Sequence, residues 1–299
     1  VGAAFAVGAS RSGLAAPLGV PGRAVPLYAV SDRCADPRLP ALAGPWVVAC
    51  GAGGRVDRVL SLHSGADFEL PTPLERPGLG PSALVQTGWD STVVRLTSAG
   101  PVVVEDVTRL MDRPAGPPAT DGEHIVLVSD DAVQVLGVTQ RGRRRHATWA
   151  AGWYGAALTW PYVAWVADGW TDGEDVYWMD ASAERPSPAR LAAGPGHQRH
   201  VVAHGGWLAW VEPGAIGLLH PASGAARRVP AETGFSAPIT LWEGVVCWEE
   251  RGGVDGVDVR CSDGLTAGGP GDQRWPSRWG PWLLYREGDR VMLARAVAP

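Results

Sequence analysis

One pattern recurs along this chain and limits its fold more than any other feature. A polar or Pro-containing lead-in is followed by a Trp-rich strand, a Gly/Asp turn and a second strand. Clear copies are PALAGPWVVACGAGGRVDRVLSL from Pro40, ALTWPYVAWVADGWTDGEDVYWMD from Ala157 and VVAHGGWLAWVEPGAIGLLH from Val201, with two more from Ile239 and Pro276. Weaker copies begin at Ser82 and Pro117. Copies spaced by roughly 35–45 residues match the repeat length of four-stranded propeller blades. The strands are short, rich in Val, Trp, Tyr and Leu, and bounded by Gly, Asp or Pro, and no segment sustains a helical period. A fourth strand follows the second turn: FELPTP after HSGAD, ARLAAG after MDASAERPSP, and ARRVPA after PASG.

Such a unit cannot bury both faces alone, whereas neighbouring sheets in a ring shield one another. The expected fold is therefore all-β: one β-propeller over residues 1–299, with seven blades favoured and six as the alternative. Residues 1–21 are allowed as a flexible N-terminal segment. The large residues Trp46, Tyr162, Trp207, Val245 and Trp282 are expected to fill the space between blades. The last copy is one strand short, and GRAVPLYAV (22–30) is expected to supply that strand and close the ring.

The stretch DGEDVYWMDASAERPSPARLAAGPGHQRHVVAHGGWLAWVE resembles the TolB-type repeat. In that family a DG turn leads to a strand of the form D-[IV]-Y-x-M-D, then an R-L pair and a Pro-rich lead-in. Asp172, Gly173, Asp175, Val176, Tyr177, Met179 and Asp180 match the first part, and Arg190 with Leu191 the second. The resemblance is good over 150–299, fair over 37–73 and weak over 74–149. It implies a fold; the family hosts binding scaffolds, translocation proteins and domains attached to peptidases, so it assigns no activity.

Charge and composition narrow the partners. The net charge is −5, which argues against nucleic acid, since phosphate binding needs a basic face. All 26 basic residues are Arg, with neither Lys nor Asn present; a GC-rich genome is the plain explanation. No run of 18 apolar residues suggests a membrane span. The opening VGAAFAVGASRSG is not an intact signal peptide and reads as compatible with the start of a mature exported chain.

The four cysteines fall into two local pairs without any CxxC. Cys247 and Cys261 sit on two apparent strands of one hairpin, at roughly opposite positions. Disulfides Cys34–Cys50 and Cys247–Cys261 are expected, implying an oxidising compartment, periplasmic or extracellular. The alternative is four buried free thiols in a cytosolic protein.

Candidate sites each have a plain reading beside the functional one. His197, Gln198, His200 and His204 could ligate a transition metal, as in some seven-bladed enzymes that act on pectin fragments. However, the repeat aligns His197 with Asp272, His200 with Trp275 and His204 with Trp279, and His200 and His204 on one strand stand about 13 Å apart. Ordinary loop and strand histidines are the preferred reading. Asp168, Asp172, Glu174 and Asp175 could hold calcium, although a hairpin turn needs no ion. Arg141, Arg143, Arg144 and Arg145 beside His146 form a basic run that reads as a solvated strand or loop. Thirteen of the fifteen Trp residues lie from position 149 onward. Trp153, Trp160, Trp170, Trp242, Trp275 and Trp279 fall at strand starts or turns, where they could offer an aromatic surface to a protein or a sugar ring. Inter-blade packing is the competing reading for them.

No G-x-S-x-G elbow, catalytic triad spacing or phosphate loop is present, and no cofactor is expected. The sequence therefore favours a non-enzymatic, exported binding or scaffold protein using one ring face for a protein or glycan. The alternatives are a metal-assisted lyase or hydrolase using the His cluster, and a structural subunit of a cell-surface assembly.

Overall fold

The second strand of each repeat decides the architecture. Runs such as YVAWVA, WLAWV and VVCW contain almost no polar position, so they must be covered on both faces. In the computed structural model they are. Val47, Val48, Val163, Ala164, Val166, Leu208, Ala209, Val246, Cys247, Leu283 and Leu284 are all fully buried. The structure describes residues 25–29, 39–51, 54–86, 92–104, 118–129, 132–137, 143–147, 155–168, 173–192, 196–233, 238–252, 256–269 and 271–295.

The described residues form seven four-stranded antiparallel sheets. Sheet 1 joins Ala41–Ala43, Trp46–Cys50, Val56–Ser61 and Asp67–Leu74. Sheet 2 joins Gly78–Leu79, Ala83–Gln86, Thr92–Thr97 and Gly100–Val104, and sheet 3 joins Ala119–Thr120, His124–Ser129, Ala132–Gly137 and Arg143–Ala147. Sheet 4 holds Ala156–Thr159, Tyr162–Asp168, Glu174–Asp180 and Ala189–Ala192; sheet 5 holds Arg199–His204, Trp207–Glu212, Ala215–His220 and Ala225–Pro230. Sheet 6 holds Ile239–Trp242, Val245–Gly252, Gly256–Cys261 and Thr266–Ala267. Sheet 7 takes three strands from the C-terminal region, Gln273–Trp279, Trp282–Glu287 and Arg290–Arg295, and its outer strand, Val25–Ala29, from the N-terminal region. The expected closing strand is therefore in place. The count is seven rather than six. Residues 1–21 lie outside the described residues.

The chain divides into two compact units, Val1–Arg76 with Glu232–Pro299, and Pro77–Ala231. In the first, apolar residues of sheets 1 and 7 interlock (Leu42, Val47, Leu60, Leu284, Leu293), and sheet 6 packs on sheet 7 through Cys247, Val259, Leu283 and Tyr285. In the second, equivalent seams join sheets 2 and 3, 3 and 4, and 4 and 5. First strands have a side without a sheet partner, and its backbone donors need acceptors. A neighbouring sheet supplies them: Ser277 Oγ accepts from Leu42 N–H at 2.8 Å and Thr240 Oγ1 from Arg278 N–H at 3.1 Å, and in the turn that follows the first strand of sheet 5 Thr159 Oγ1 accepts from Gly206 N–H at 2.9 Å.

The residues expected in the seams reach different depths. Trp46 is buried, while Tyr162, Val245 and Trp282 are partly buried and pack against the seams between sheets 4 and 5, 6 and 7, and 1 and 7; Trp207 is also only partly buried. The deeply buried aromatics stand three residues later, at Trp165, Trp210, Trp248 and Tyr285. An odd offset on a strand places the two sets on opposite faces. The later position lies nearer mid-strand, where neighbouring sheets cover it fully, while the earlier one starts the strand at the turn.

Candidate functional site

The aromatic residues at the turns between first and second strands form the best-defined candidate site. In sheet 6 this turn is Glu243–Gly244, bracketed by the pair Trp242 and Val245; in sheet 7 it is Gly280–Pro281, bracketed by Trp279 and Trp282. The Trp242 and Trp279 rings meet edge to face, with centroids 4.0 Å apart and an interplanar angle of 65°. Trp279 and Trp282 also lean on the seam between sheets 1 and 7, and the Arg295 guanidinium lies over the Trp282 ring. All three indoles keep part of their surface exposed.

The turn beside them carries an unusual backbone. The first turn residue of sheets 1, 5 and 7 is Gly44, Gly205 and Gly280, at φ of 62°, 57° and 53°. Sheet 6 has Glu243 there, at φ 43°. A residue with a Cβ in this region costs roughly 1–2 kcal/mol relative to one in an ordinary conformation. Glu243 is exposed.

The other Trp candidates are differently placed. Trp275 is the third residue of the strand that Trp279 ends, at the break in its register. Its backbone is left-handed (φ 59°), and its N–H donates to Glu249 Oε1 at 2.8 Å. Burial pushes the Glu249 carboxyl above its usual range, partly offset by that N–H. Trp160, 37% exposed, stacks on His124 at 4.0 Å with 7° between planes, and its N–H points to Asp121 Oδ2 at 3.3 Å. Trp153 and Trp170 lie outside the described residues.

The histidine cluster belongs to a structural device that occurs twice. Gly196-His197-Gln198-Arg199-His200 leads into sheet 5, and Gly271-Asp272-Gln273-Arg274-Trp275 into sheet 7. His197 Nδ1 accepts from Glu174 N–H at 3.3 Å, and Asp272 Oδ1 accepts from Val257 N–H at 3.1 Å. Each thus clasps the hairpin of the preceding sheet just after a left-handed glycine. A Cβ on Gly173 would come within 2.9 Å of His197 Nδ1, and one on Gly256 within 2.7 Å of Asp272 Oδ1. Gln198 and Gln273 are both buried, and His200 (φ 53°) matches Trp275 with the same break in register. The alignment of His197 with Asp272 and His200 with Trp275 is thus a structural equivalence. The hydrogen bonds from Arg274 and Val257 hold the Asp272 carboxyl below its usual range. His204 ends the strand, and burial lowers its imidazole to about 4.

Among the described residues no three His, Cys, Asp or Glu side chains are grouped so as to hold a metal ion. In the acidic turn, Glu174 pairs with Arg199 and Asp175 with Arg190; Asp172 lies outside the described residues. Arg143, Arg144 and Arg145 lie on the outer strand of sheet 3, while Arg141 lies outside the described residues.

Cys247 and Cys261 face each other across the sheet 6 hairpin and form a disulfide, with Cα atoms 4.0 Å apart. This overturns the free-thiol alternative. Cys50 is also disulfide-bonded; Cys34, its expected partner, lies outside the described residues. The buried Arg278 guanidinium reaches Asp263 at 2.8 Å, Gly280 O at 2.8 Å and Cys261 Sγ at 3.7 Å. It thereby anchors the Trp279 turn to the disulfide-bonded hairpin.

No family profile matches the sequence, and no curated protein matches it. Solved structures do. Apo AztD from Citrobacter koseri is similar over 86% of this chain and 90% of its own, with 12% identity and a TM-score of 0.50. The chain is a seven-bladed β-propeller. BamB from Moraxella catarrhalis (12% identity, 92% of this chain and 98% of that chain, TM-score 0.46) is a further match. So is TolB from Acinetobacter baumannii (14% identity, 88% and 86%, TM-score 0.44). At these identities the likeness is one of fold, so any role for this propeller rests on its own side chains. Among the described residues no helix is long and apolar enough to cross a membrane.

Proposed function

We infer that this propeller is a non-enzymatic binding or scaffold protein, exported to an oxidising compartment, which presents the Trp242–Glu243–Trp279 turns to a protein or glycan partner. The observation that carries the reading is Glu243: an exposed carboxylate kept in a left-handed conformation where three sister turns use glycine, beside two interlocked indoles. Residues held in sparsely populated backbone conformations cluster at functional positions. Half-exposed Trp residues on a rigid turn offer large contact area at low entropic cost. The disulfide in sheet 6 supports export, because such bonds persist in oxidising compartments.

The test places a photo-crosslinking residue at Pro281, which is exposed in the adjacent turn, in the full chain in its source cells. In parallel, purified polysaccharides are screened by affinity electrophoresis. A partner or glycan captured by the parent chain and lost in both Trp242→Ala and Trp279→Ala supports the reading. Partners that bind both variants as well as the parent would place the binding surface elsewhere.

A further inference from the structure

In sheets 1, 4, 5, 6 and 7 the first strand passes into the second through a two-residue turn, and the residue before the last of the first strand can be compared directly. It is aliphatic in four of them: Leu42, Leu158, Ala203 and Leu241, paired in register with Val47, Val163, Leu208 and Val246. Sheet 7 has Arg278 there, paired with Leu283, and its side chain is only 5% exposed. Withdrawing a charge from water is costly, and an aliphatic residue in place of a buried ion pair is often neutral or stabilising. Stability is therefore a poor reason for the arginine.

Its contacts point to another. All three guanidinium nitrogens are used: Nε donates to Gly280 O at 2.8 Å, Nη2 to Asp263 Oδ2 at 2.8 Å and Nη1 to Cys261 Sγ at 3.7 Å. Gly280 is the first residue of the sheet 7 turn, while Cys261 ends the third strand of sheet 6 and Asp263 lies in the turn after it. One planar fork thus ties sheet 7 to sheet 6, and Trp279 stands in sequence between Arg278 and Gly280, the two residues it fixes. The edge-to-face contact of Trp242 with Trp279 spans the same two sheets. A lysine could not replace this fork, since it has a single nitrogen on a flexible stem.

We propose that Arg278 is a positioning residue of the binding surface, kept for that role and not for stability. It fixes the Trp279 turn to the sheet 6 hairpin and so holds the Trp279 indole in its seat against Trp242. The proposal rests on the reading of the Trp242–Glu243–Trp279 turns as that surface. Arg278 is buried and acts through Trp279. Holding both indoles before a partner arrives removes the cost of ordering them on binding. The arginine occurs where the need arises: of the five first strands compared, only those of sheets 6 and 7 end in tryptophan, and these two indoles touch.

Arg278→Leu in the full chain tests this, because leucine already fills the position in sheets 1, 4 and 6. Three quantities are read: the denaturation midpoint, the exciton couplet of the paired indoles in circular dichroism, and capture in the crosslinking assay. The couplet is taken as the difference between each protein and its Trp242→Phe counterpart. Arg278→Leu should unfold at the parent's midpoint or above it and lose the couplet. Its capture should fall about tenfold, the scale of ordering two side chains anew on binding. Arg278→Lys, which keeps the charge without the fork, should lose the couplet as well. A couplet that survives in Arg278→Leu overturns the proposal. So does an Arg278→Leu chain that fails to fold or unfolds earlier than the parent, because the arginine is then a stability residue. Undiminished capture by Arg278→Leu of a partner that Trp242→Ala and Trp279→Ala both lose overturns it too. The surface itself is judged separately: if the two Trp→Ala variants capture as the parent does, that reading fails, while the couplet still decides whether Arg278 positions Trp279.

Discussion

Gly217 tests the seam packing most directly. It sits on the third strand of sheet 5, opposite Trp210, and a Cβ there would lie 2.3 Å from both Cε2 and Cζ2 of that indole. Ordinary carbon–carbon contact is about 3.5–4.0 Å, so ring or strand must move by more than about 1 Å. The ring has little room to move, since it is buried among Ala164, Val166, Val176, Val201 and Leu208. Overpacking of this kind costs about 1–3 kcal/mol. Replacing a strand glycine returns roughly 0.5–1 kcal/mol of backbone entropy. Gly217→Ala should therefore destabilise by about 1–2 kcal/mol net, read as a lower denaturation midpoint at unchanged slope. In a Trp210→Leu background the obstacle is gone, and Gly217→Ala should become neutral or mildly stabilising. The coupling should reach at least about 1 kcal/mol in a double-mutant cycle. Equal costs in both backgrounds, or a stabilising Gly217→Ala in the parent, would refute the steric reasoning.

Four further outcomes are expected. Glu243→Gly should raise stability by about 0.5–1 kcal/mol, by relieving the left-handed backbone, while weakening capture of the turn's partner; denaturation midpoints and the crosslinking assay check the two halves. Replacing Cys247 and Cys261 together by Ala opens a loop with a sequence separation of 14 and should cost about 3 kcal/mol, measured by denaturant titration without reductant. His204, lowered from the ordinary 6.5 to about 4 by burial, is held neutral in the fold, so its contribution is complete above pH 6.5 and is lost as the pH falls toward 4; His204→Gln should flatten that part of the stability–pH curve, and an unchanged slope would contradict the assignment. Elemental analysis of purified protein should find no transition metal bound through His197, Gln198, His200 and His204, and one equivalent lost in His200→Ala would reverse that reading.

The repeat made the fold legible because second strands covered on both faces read as apolar runs, as in Trp46–Cys50, YVAWVA at 162–167 and VVCW at 245–248. The closing strand could be inferred because the last repeat was one strand short. Cys247 and Cys261 could be paired because a hairpin fixes their register. The same two-sided burial hid which aromatic fills the seam: without polar alternation, WLAW does not say whether Trp207 or Trp210 lies deeper. The clasp between His197 and Glu174 was hidden for another reason. Its partner lies on the preceding sheet, and single-residue patterns carry no information on contacts at that distance. Glu243 was likewise silent, since only the backbone angle sets it apart, although glycine at the matching places of sheets 1, 5 and 7 was a usable signal.

The origin of sheet 7 bears on how the molecule is made. Val25–Ala29 leaves the ribosome well before the strand it must join, Arg290–Arg295, since the other six sheets lie between them in sequence. While those sheets are made, this segment has to wait without its hydrogen-bonding neighbour. A contact spanning so many residues also delays the closing step of folding, because the loop it closes contains every other sheet.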